Sequence, residues 1–161
     1  MRHIEAGQRF WGNVNMLGDC WIWTSGISHW GYGLCASRRR SGGHSEFAHR
    51  VAYELSLGES IPNGMELDHK CRNRACVNPA HLRLATRKQN AENIVARRGS
   101  GSGVRGVYWD NVAHRWRASV CHNGHRYYVG IFADLNVAKE AVRIKRLELF
   151  THNEADRVVA E

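Results

Sequence analysis

Hydrophobic positions change their period several times along this chain, and each change predicts an element. From Glu46 to Leu57, Phe47, Val51, Ala52 and Leu55 recur at helical spacing with His49, Arg50 and Glu54 between them, an amphipathic helix ended by Gly58. Ile61-Pro62-Asn63-Gly64 is a turn, because proline presets φ and Asn-Gly tolerates positive φ. Met65 to Asp68 then reads as a short strand that delivers Asp68 and His69 to its end. Leu82 to Ala85 is the return strand, and Thr86-x-x-Gln89 is a capping box opening a helix through about Ala96. Upstream, a short amphipathic piece surrounds Phe10-Trp11, and Trp21 and Trp23 fall on one face of a strand. Gly31-Tyr32-Gly33-Leu34 leads to a hairpin turning at Ser41-Gly42-Gly43, with Arg38, Arg39 and Arg40 near its tip.

Residues 97–103, Arg-Arg-Gly-Ser-Gly-Ser-Gly, have linker composition, and the period becomes two after them. Val104 to Trp109, Arg115 to Cys121 and Arg126 to Phe132 read as three strands, with a strong hairpin signal at His122-Asn123-Gly124. Trp116, Ala118 and Val120 alternate with Arg117, Ser119 and Cys121; Arg126, Tyr128 and Gly130 alternate with Tyr127, Val129 and Ile131. Asp134 caps a last helix through about Phe150, whose apolar stripe is Val137, Ala138, Ala141, Val142, Ile144 and Leu149. That helix packs behind the sheet and leaves a face with Arg117, Arg126 and Tyr128 open to a partner, as in sheets that lie in the major groove. The expected fold is therefore α+β, in two modules: residues 1–96 and, beyond the linker, a three-stranded antiparallel sheet packed on one helix over residues 104–161.

Composition narrows the partner. A formal charge of +8 over 161 residues favours a polyanion, since neutralising phosphates with Lys and Arg releases counterions. The arginine run is either a solvated turn or a groove contact through Arg38 and Arg40. The N-terminus lacks the apolar core of a signal peptide, and no run reaches the roughly 20 apolar residues that span a bilayer. A cytoplasmic protein without a membrane partner is expected. Five cysteines in a reducing compartment read as metal ligands or buried thiols rather than disulfides.

The chemistry concentrates between Leu67 and Asn90. Cys71, Cys76 and His81, with the remote Cys20, make a tetrahedral Cys3His set suited to structural Zn2+; reduced buried thiols with a capping histidine are the alternative. Asp68 and Asn90 offer the oxygen ligands that Mg2+ takes alongside water and a substrate phosphate. His69 would take a proton from the attacking water. Turn capping by Asp68 and Asn90 around a structural His69 is the plainer alternative.

Leu67 through Asn90 resembles the HNH or ββα-metal (His-Me finger) nucleases. The Asp-His-x-Cys-x4-Cys-x4-His form is similar to the zinc-stabilised His-Cys box homing endonucleases, although their second zinc cluster is not found here. Cys20-Trp21-Ile22-Trp23, Gly31-Tyr32-Gly33, Ala48-His49-Arg50 and Asn78-Pro79-x-His81-Leu82 resemble small HNH proteins of phages and introns. The resemblance spans roughly residues 10–96 and implies that His69 is the general base, Asn90 and Asp68 hold the divalent metal, and Cys20, Cys71, Cys76 and His81 hold structural zinc.

Residues 103 to about 153 resemble the plant Apetala-type (ethylene-response-factor) DNA-binding domain, through Val104-Arg105-Gly106-Val107-Tyr108-Trp109, Arg115-Trp116-Arg117-Ala118 and Tyr128-Val129-Gly130-Ile131-Phe132. This implies DNA contacts from Arg105, Tyr108, Arg117, Ser119, Arg126 and Tyr128, without the plant recognition sequence. The expected protein is a Mg2+-dependent endonuclease acting on double-stranded DNA, of homing or phage type. A non-catalytic zinc-stabilised DNA-binding regulator is the rival. RNA as the partner, and a homodimer, are left open.

Overall fold

A computed structural model of the chain describes residues 2–36, 45–94 and 100–157. The chain divides into two compact units, Met1–Asn90 and Ala91–Glu161. The division falls ahead of the Gly/Ser-rich stretch, of which residues 97–99 lie outside the described residues. Within that stretch Ser102 is tied down, its hydroxyl donating to the Val107 carbonyl at 2.5 Å and accepting from Val104 N at 3.2 Å.

In the first unit, helix α1 (Arg2–Trp11) leads to strand β1 (Val14–Asn15), paired antiparallel with β2 (Ile22–Trp23). Strand β3 (Leu34–Ala36) pairs antiparallel with β4 (Ser45–Phe47), which runs directly into helix α2 (Ala48–Leu57). The helix predicted from Glu46 thus begins two residues later, because Glu46 and Phe47 are used to pair with Cys35 and Leu34. The tip of this hairpin, with Arg38 and Arg40, lies outside the described residues. The core gathers Phe10, Trp23, Ala48, Val51, Ala52 and Val77, and Trp23 Nε1 donates to the carbonyls of Gly26 and Leu34, both at 3.1 Å.

A second hairpin follows. Strand β5 (Glu66–His69) pairs antiparallel with β6 (Leu82–Ala85), and helix α3 (Arg87–Glu92) comes next. Leu67 and Leu82 pack with Ile61 in a separate small cluster. The capping box forms: Thr86 N donates to Gln89 Oε1 at 2.8 Å, and Gln89 N to Thr86 Oγ1 at 3.3 Å.

The second unit is a three-stranded antiparallel sheet, β7 (Val107–Asp110), β8 (Arg115–His122) and β9 (His125–Phe132), with helix α4 (Leu135–Leu149) and a short α5 (Glu154–Arg157). Asn123 and Gly124 both take positive φ, +52° and +75°, the conformation the tight β8–β9 turn demands. Two details depart from the sequence reading. Ala118 pairs with Gly130 and Ser119 with Tyr128, so a bulge at Val129 moves Gly130 to the buried side and Ile131 to the outer one. Glycine suits that inward position, since a Cβ would lie 2.8 Å from the Phe132 ring. On α4, Val137 and Ile144 are exposed, because the buried line runs through Ala138, Val142 and Arg146, four residues apart. Val107, Ala118, Val120, Ala138, Val142 and Phe150 form the core.

Arg146 reaches into this unit because Asp156 meets it: Nε to Oδ2 is 2.6 Å and Nη2 to Oδ1 is 2.7 Å, with Asn153 Nδ2 also on Oδ2. Burial pushes the Asp156 carboxyl up, and the hydrogen bonds and charge of Arg146, with Asn153, outweigh it and hold it below the usual range. A depressed carboxyl contributes stability above the pKa of the unfolded chain and loses it as pH falls through the folded value. Asp156→Ala leaves Arg146 buried without its partner and is expected to cost about 3 to 5 kcal/mol in urea unfolding near neutral pH, with the gap to wild type narrowing in acid.

Candidate metal centre and nuclease site

Three cysteines and a histidine, one of the cysteines remote in sequence, are brought together by backbone pairing. Trp23 N donates to the Ala75 carbonyl at 2.9 Å and Val77 N to the Trp21 carbonyl at 2.7 Å, an antiparallel bridge opposing Ile22 and Cys76. This lays Cys20 beside the Cys71–Cys76 loop. Asn78 then shapes the turn through Pro79–His81, its Oδ1 accepting from Ala80 N at 3.0 Å and its Nδ2 donating to the Asp19 carbonyl at 2.7 Å. His81 is thereby turned back on the cysteines.

The ligand atoms of Cys20, Cys71, Cys76 and His81 all lie within 4.8 Å of one another. His81 Nδ1 is 3.6 Å from both Cys20 Sγ and Cys76 Sγ. A tetrahedral zinc with bonds of about 2.3 Å to sulfur and 2.0–2.1 Å to nitrogen places those atoms about 3.6 Å apart. The electrostatics fit as well. Cys71 falls to about 5, chiefly because the Cys76 thiol donates to its sulfur, while that same bond and burial push Cys76 up. Burial and the neighbouring Cys71 also push Cys20 up. Three crowded sulfurs cannot all ionise unless a cation sits among them. The Cys3His cluster thus fits a structural zinc site.

His69, at the end of β5, is buried, and its Nε2 lies 3.1 Å from the Cys76 carbonyl. A carbonyl only accepts, so Nε2 carries the hydrogen and Nδ1 is the basic nitrogen. Burial lowers the His69 pKa, with the Cys76 carbonyl working in the opposite direction, which favours the neutral imidazole. Its ring lies 4.7 Å from that of His49 and 6.0 Å from that of Tyr32, with Arg74 over the Tyr32 ring at 5.2 Å. His49 is itself pushed down to about 3 by burial, then by His69 and Arg50.

Asp68 lies on the opposite side of β5, directly across from Arg83, whose Nε and Nη2 reach its Oδ2 at 2.9 and 2.7 Å. Glu66 shares that side by strand alternation, and Asn90 Nδ2 donates to Glu66 Oε2 at 2.7 Å. The hairpin and α3 therefore gather Glu66, Asp68, Arg83 and Asn90, while His69 faces Tyr32 and His49. The oxygens of Asp68, Asn90 and Glu66 suit a hard cation. Glu66, Arg83 and His49 were missed as site neighbours in the sequence. The first two follow from the β5–β6 register, which the residue pattern alone does not set.

In the second unit, Tyr108 pairs with Arg117, Ser119 with Tyr128 and Cys121 with Arg126, so these side chains share the outer sheet face. Arg117 is held by Asp110, Nε to Oδ2 at 2.8 Å. A cleft of about 310 Å³ is lined by Arg105, Tyr108, Ser119, Cys121, Arg126 and Arg146, among others. Arg105 lines this cleft as well, but its Nη1 donates to the carbonyls of Ala91, Glu92 and Ile94. No helix among the described residues is long and apolar enough to cross a membrane.

Residues 46–92 match the family model of the HNH endonuclease. The chain is 36% identical over 85 residues to Protein 7.7 of Escherichia phage T7, covering 53% of this chain and 62% of that protein. It is 31% identical over 88 residues to Protein 2.8 of the same phage, covering 53% and 56%, and 31% identical over 79 residues to Protein 3.8, covering 49% and 64%. The chain thus spans less than two thirds of the length of these relatives. No solved structure is a significant match. The family match and the phage relatives together support an HNH nuclease domain in this segment.

Zinc analysis of the purified protein is expected to give one ion per chain, lost in Cys76→Ala. Since zinc contributes roughly 10 kcal/mol or more in small metal-binding peptides, chelation is expected to unfold the first unit, seen as loss of its tryptophan fluorescence signature.

Proposed function

We propose that the chain is a metal-dependent DNA endonuclease whose hairpin β5–β6 and helix α3 act as a ββα-metal unit. The observation that carries this reading is His69, its tautomer fixed by the Cys76 carbonyl, at the end of a strand inside the segment similar to HNH endonucleases. His69 Nδ1 takes a proton from a water as that water's oxygen bonds to phosphorus, and the bond from phosphorus to the leaving oxygen breaks. Asp68 and Asn90 would hold Mg2+, which supplies charge neutralisation at the scissile phosphate and leaving oxygen. Arg83 offsets the Asp68 charge through its Nη2, 2.7 Å from Oδ2. Zinc on Cys20, Cys71, Cys76 and His81 is structural: four protein ligands leave no open position for chemistry.

The second unit binds double-stranded DNA through the outer sheet face, with Tyr108, Arg117, Ser119, Arg126 and Tyr128 as the contacts. The phage relatives favour a phage role over intron homing. A non-catalytic regulator built on the same zinc scaffold is the second reading, favoured by the occupation of Asp68 by Arg83.

Supercoiled plasmid incubated with the zinc-loaded protein is expected to be nicked or linearised with Mg2+ and left intact in EDTA. His69→Ala should slow cleavage by about 10² to 10⁴ while DNA binding persists. Tight binding without cleavage on plasmid or genomic DNA would favour the regulator. Separately, Arg126→Ala is expected to weaken binding and lower the salt slope by about one; unchanged affinity across salt concentrations would reject the outer sheet face as the DNA contact.

A further inference from the structure

Helix α3 has six residues, too few to hold itself in water, so both of its ends need outside support. The capping box of Thr86 and Gln89 fixes the start. The end is fixed by side chains that the proposed cleavage chemistry does not use. Arg105 Nη1 donates to the carbonyls of Ala91, Glu92 and Ile94 at 2.9, 3.0 and 3.0 Å, and its guanidinium lies over the Phe150 ring at 5.4 Å. Terminal carbonyls lack partners within a helix, and its negative end favours a cation, so a guanidinium suits this place on both counts.

Two buried side chains just beyond Asn90 complete the attachment. Glu92 Oε2 accepts from Thr151 N, Thr151 Oγ1 and His152 N at 2.8, 3.2 and 3.1 Å. Asn93 Oδ1 accepts from Glu154 N at 3.1 Å. Arg146, already paired with Asp156, also donates to the Arg105 carbonyl, so the residue that caps α3 is held from behind. The buried polar residues of the second unit thus form one network that ends on the last turn of α3.

We propose that Arg105 and Glu92 are positioning residues for Asn90, and that the second unit's polar network serves to fix the helix that carries this residue. The inference rests on the nuclease reading, in which Asn90 holds the catalytic cation, and it removes Arg105 from the DNA contacts that the Apetala-type resemblance implies. A phosphate-binding arginine needs its guanidinium turned to solvent. Here three donor–acceptor pairs turn it onto the helix end. A displacement of about 1 Å at a reacting group can cost about 10²-fold in rate, so loosening the end of α3 should be felt in turnover rather than in affinity.

The test uses the full zinc-loaded chain with Arg105→Ala, and with Glu92→Gln should the first variant fail to fold by circular dichroism. Three quantities are read: the single-turnover cleavage rate at saturating DNA with Mg2+, the DNA affinity across salt concentrations, and amide exchange at Asn90, Ala91 and Glu92. The expected result is a rate lowered about tenfold or more, faster exchange at those three amides, and an unchanged salt slope. A wild-type rate at saturation with weaker binding and a slope reduced by about one would make Arg105 a phosphate contact and overturn the proposal. If the wild-type chain cleaves nothing, the nuclease reading falls by itself. The clamp is then judged on exchange alone, and wild-type protection in both variants would overturn it.

Discussion

Cys76 ties three parts of the first unit together. Its sulfur belongs to the Cys3His cluster, its carbonyl meets His69 Nε2, and its backbone lies opposite Ile22 in the bridge that delivers Cys20. The loop from Cys71 to His81 buries few apolar groups, chiefly Cys76 and Val77, so hydrophobic burial there amounts to little. Ligation is what can hold its shape. The same constraint reaches the imidazole: with Cys76 in place, His69 is held with its hydrogen on Nε2, and a shift of that carbonyl would release the choice of tautomer. On the proposed reading, metal binding and base chemistry are therefore coupled through one residue, although His69 itself is no member of the cluster.

The readable parts of the chain were those whose physics is local. Thr86 and Gln89 cap a helix whatever packs on it, and Asn123-Gly124 makes its turn from backbone preference alone. Ligand spacing groups Cys71, Cys76 and His81, and the remote Cys20 completes the tetrahedral set as the nuclease resemblance implies. Register was not readable. Nothing in Leu82-Arg83-Leu84-Ala85 says that Arg83 falls opposite Asp68 rather than Glu66, because the connecting loop allows more than one pairing. The bulge at Val129 is similar: period two is right on either side of it, and one extra residue exchanges the faces of Gly130 and Ile131. Arg105 was readable only as a charge. Its orientation depends on carbonyls more than ten residues earlier in the chain.

The two units reach stability by different routes. The second has a continuous apolar core between sheet and α4, and inside it an Arg146–Asp156 pair whose charges are matched by hydrogen bonds. Such a pair adds little over a well-packed apolar alternative, but it permits one arrangement where an apolar core would tolerate several. Here that arrangement fixes the Arg105 carbonyl. The first unit divides its apolar residues between two clusters, one around Trp23 and one around Leu67, with the metal loop beside them. Small separate cores of this kind are marginal alone, which is the condition under which a metal staple contributes most.

DNA affinity and phosphodiester chemistry make unequal demands on placement. Attraction between an exposed arginine and the phosphate backbone changes little over an ångström, since it acts through screened charge on a repeating polyanion. A cation ligand and a general base have no such tolerance. Helix α3 runs through Asn90, Ala91 and Glu92 without a break, with the Ala91 carbonyl accepting from Arg105 and the Glu92 carboxylate from Thr151. On the proposed reading, the tolerant function falls to an outer sheet face and the demanding one to a short helix supported at both ends.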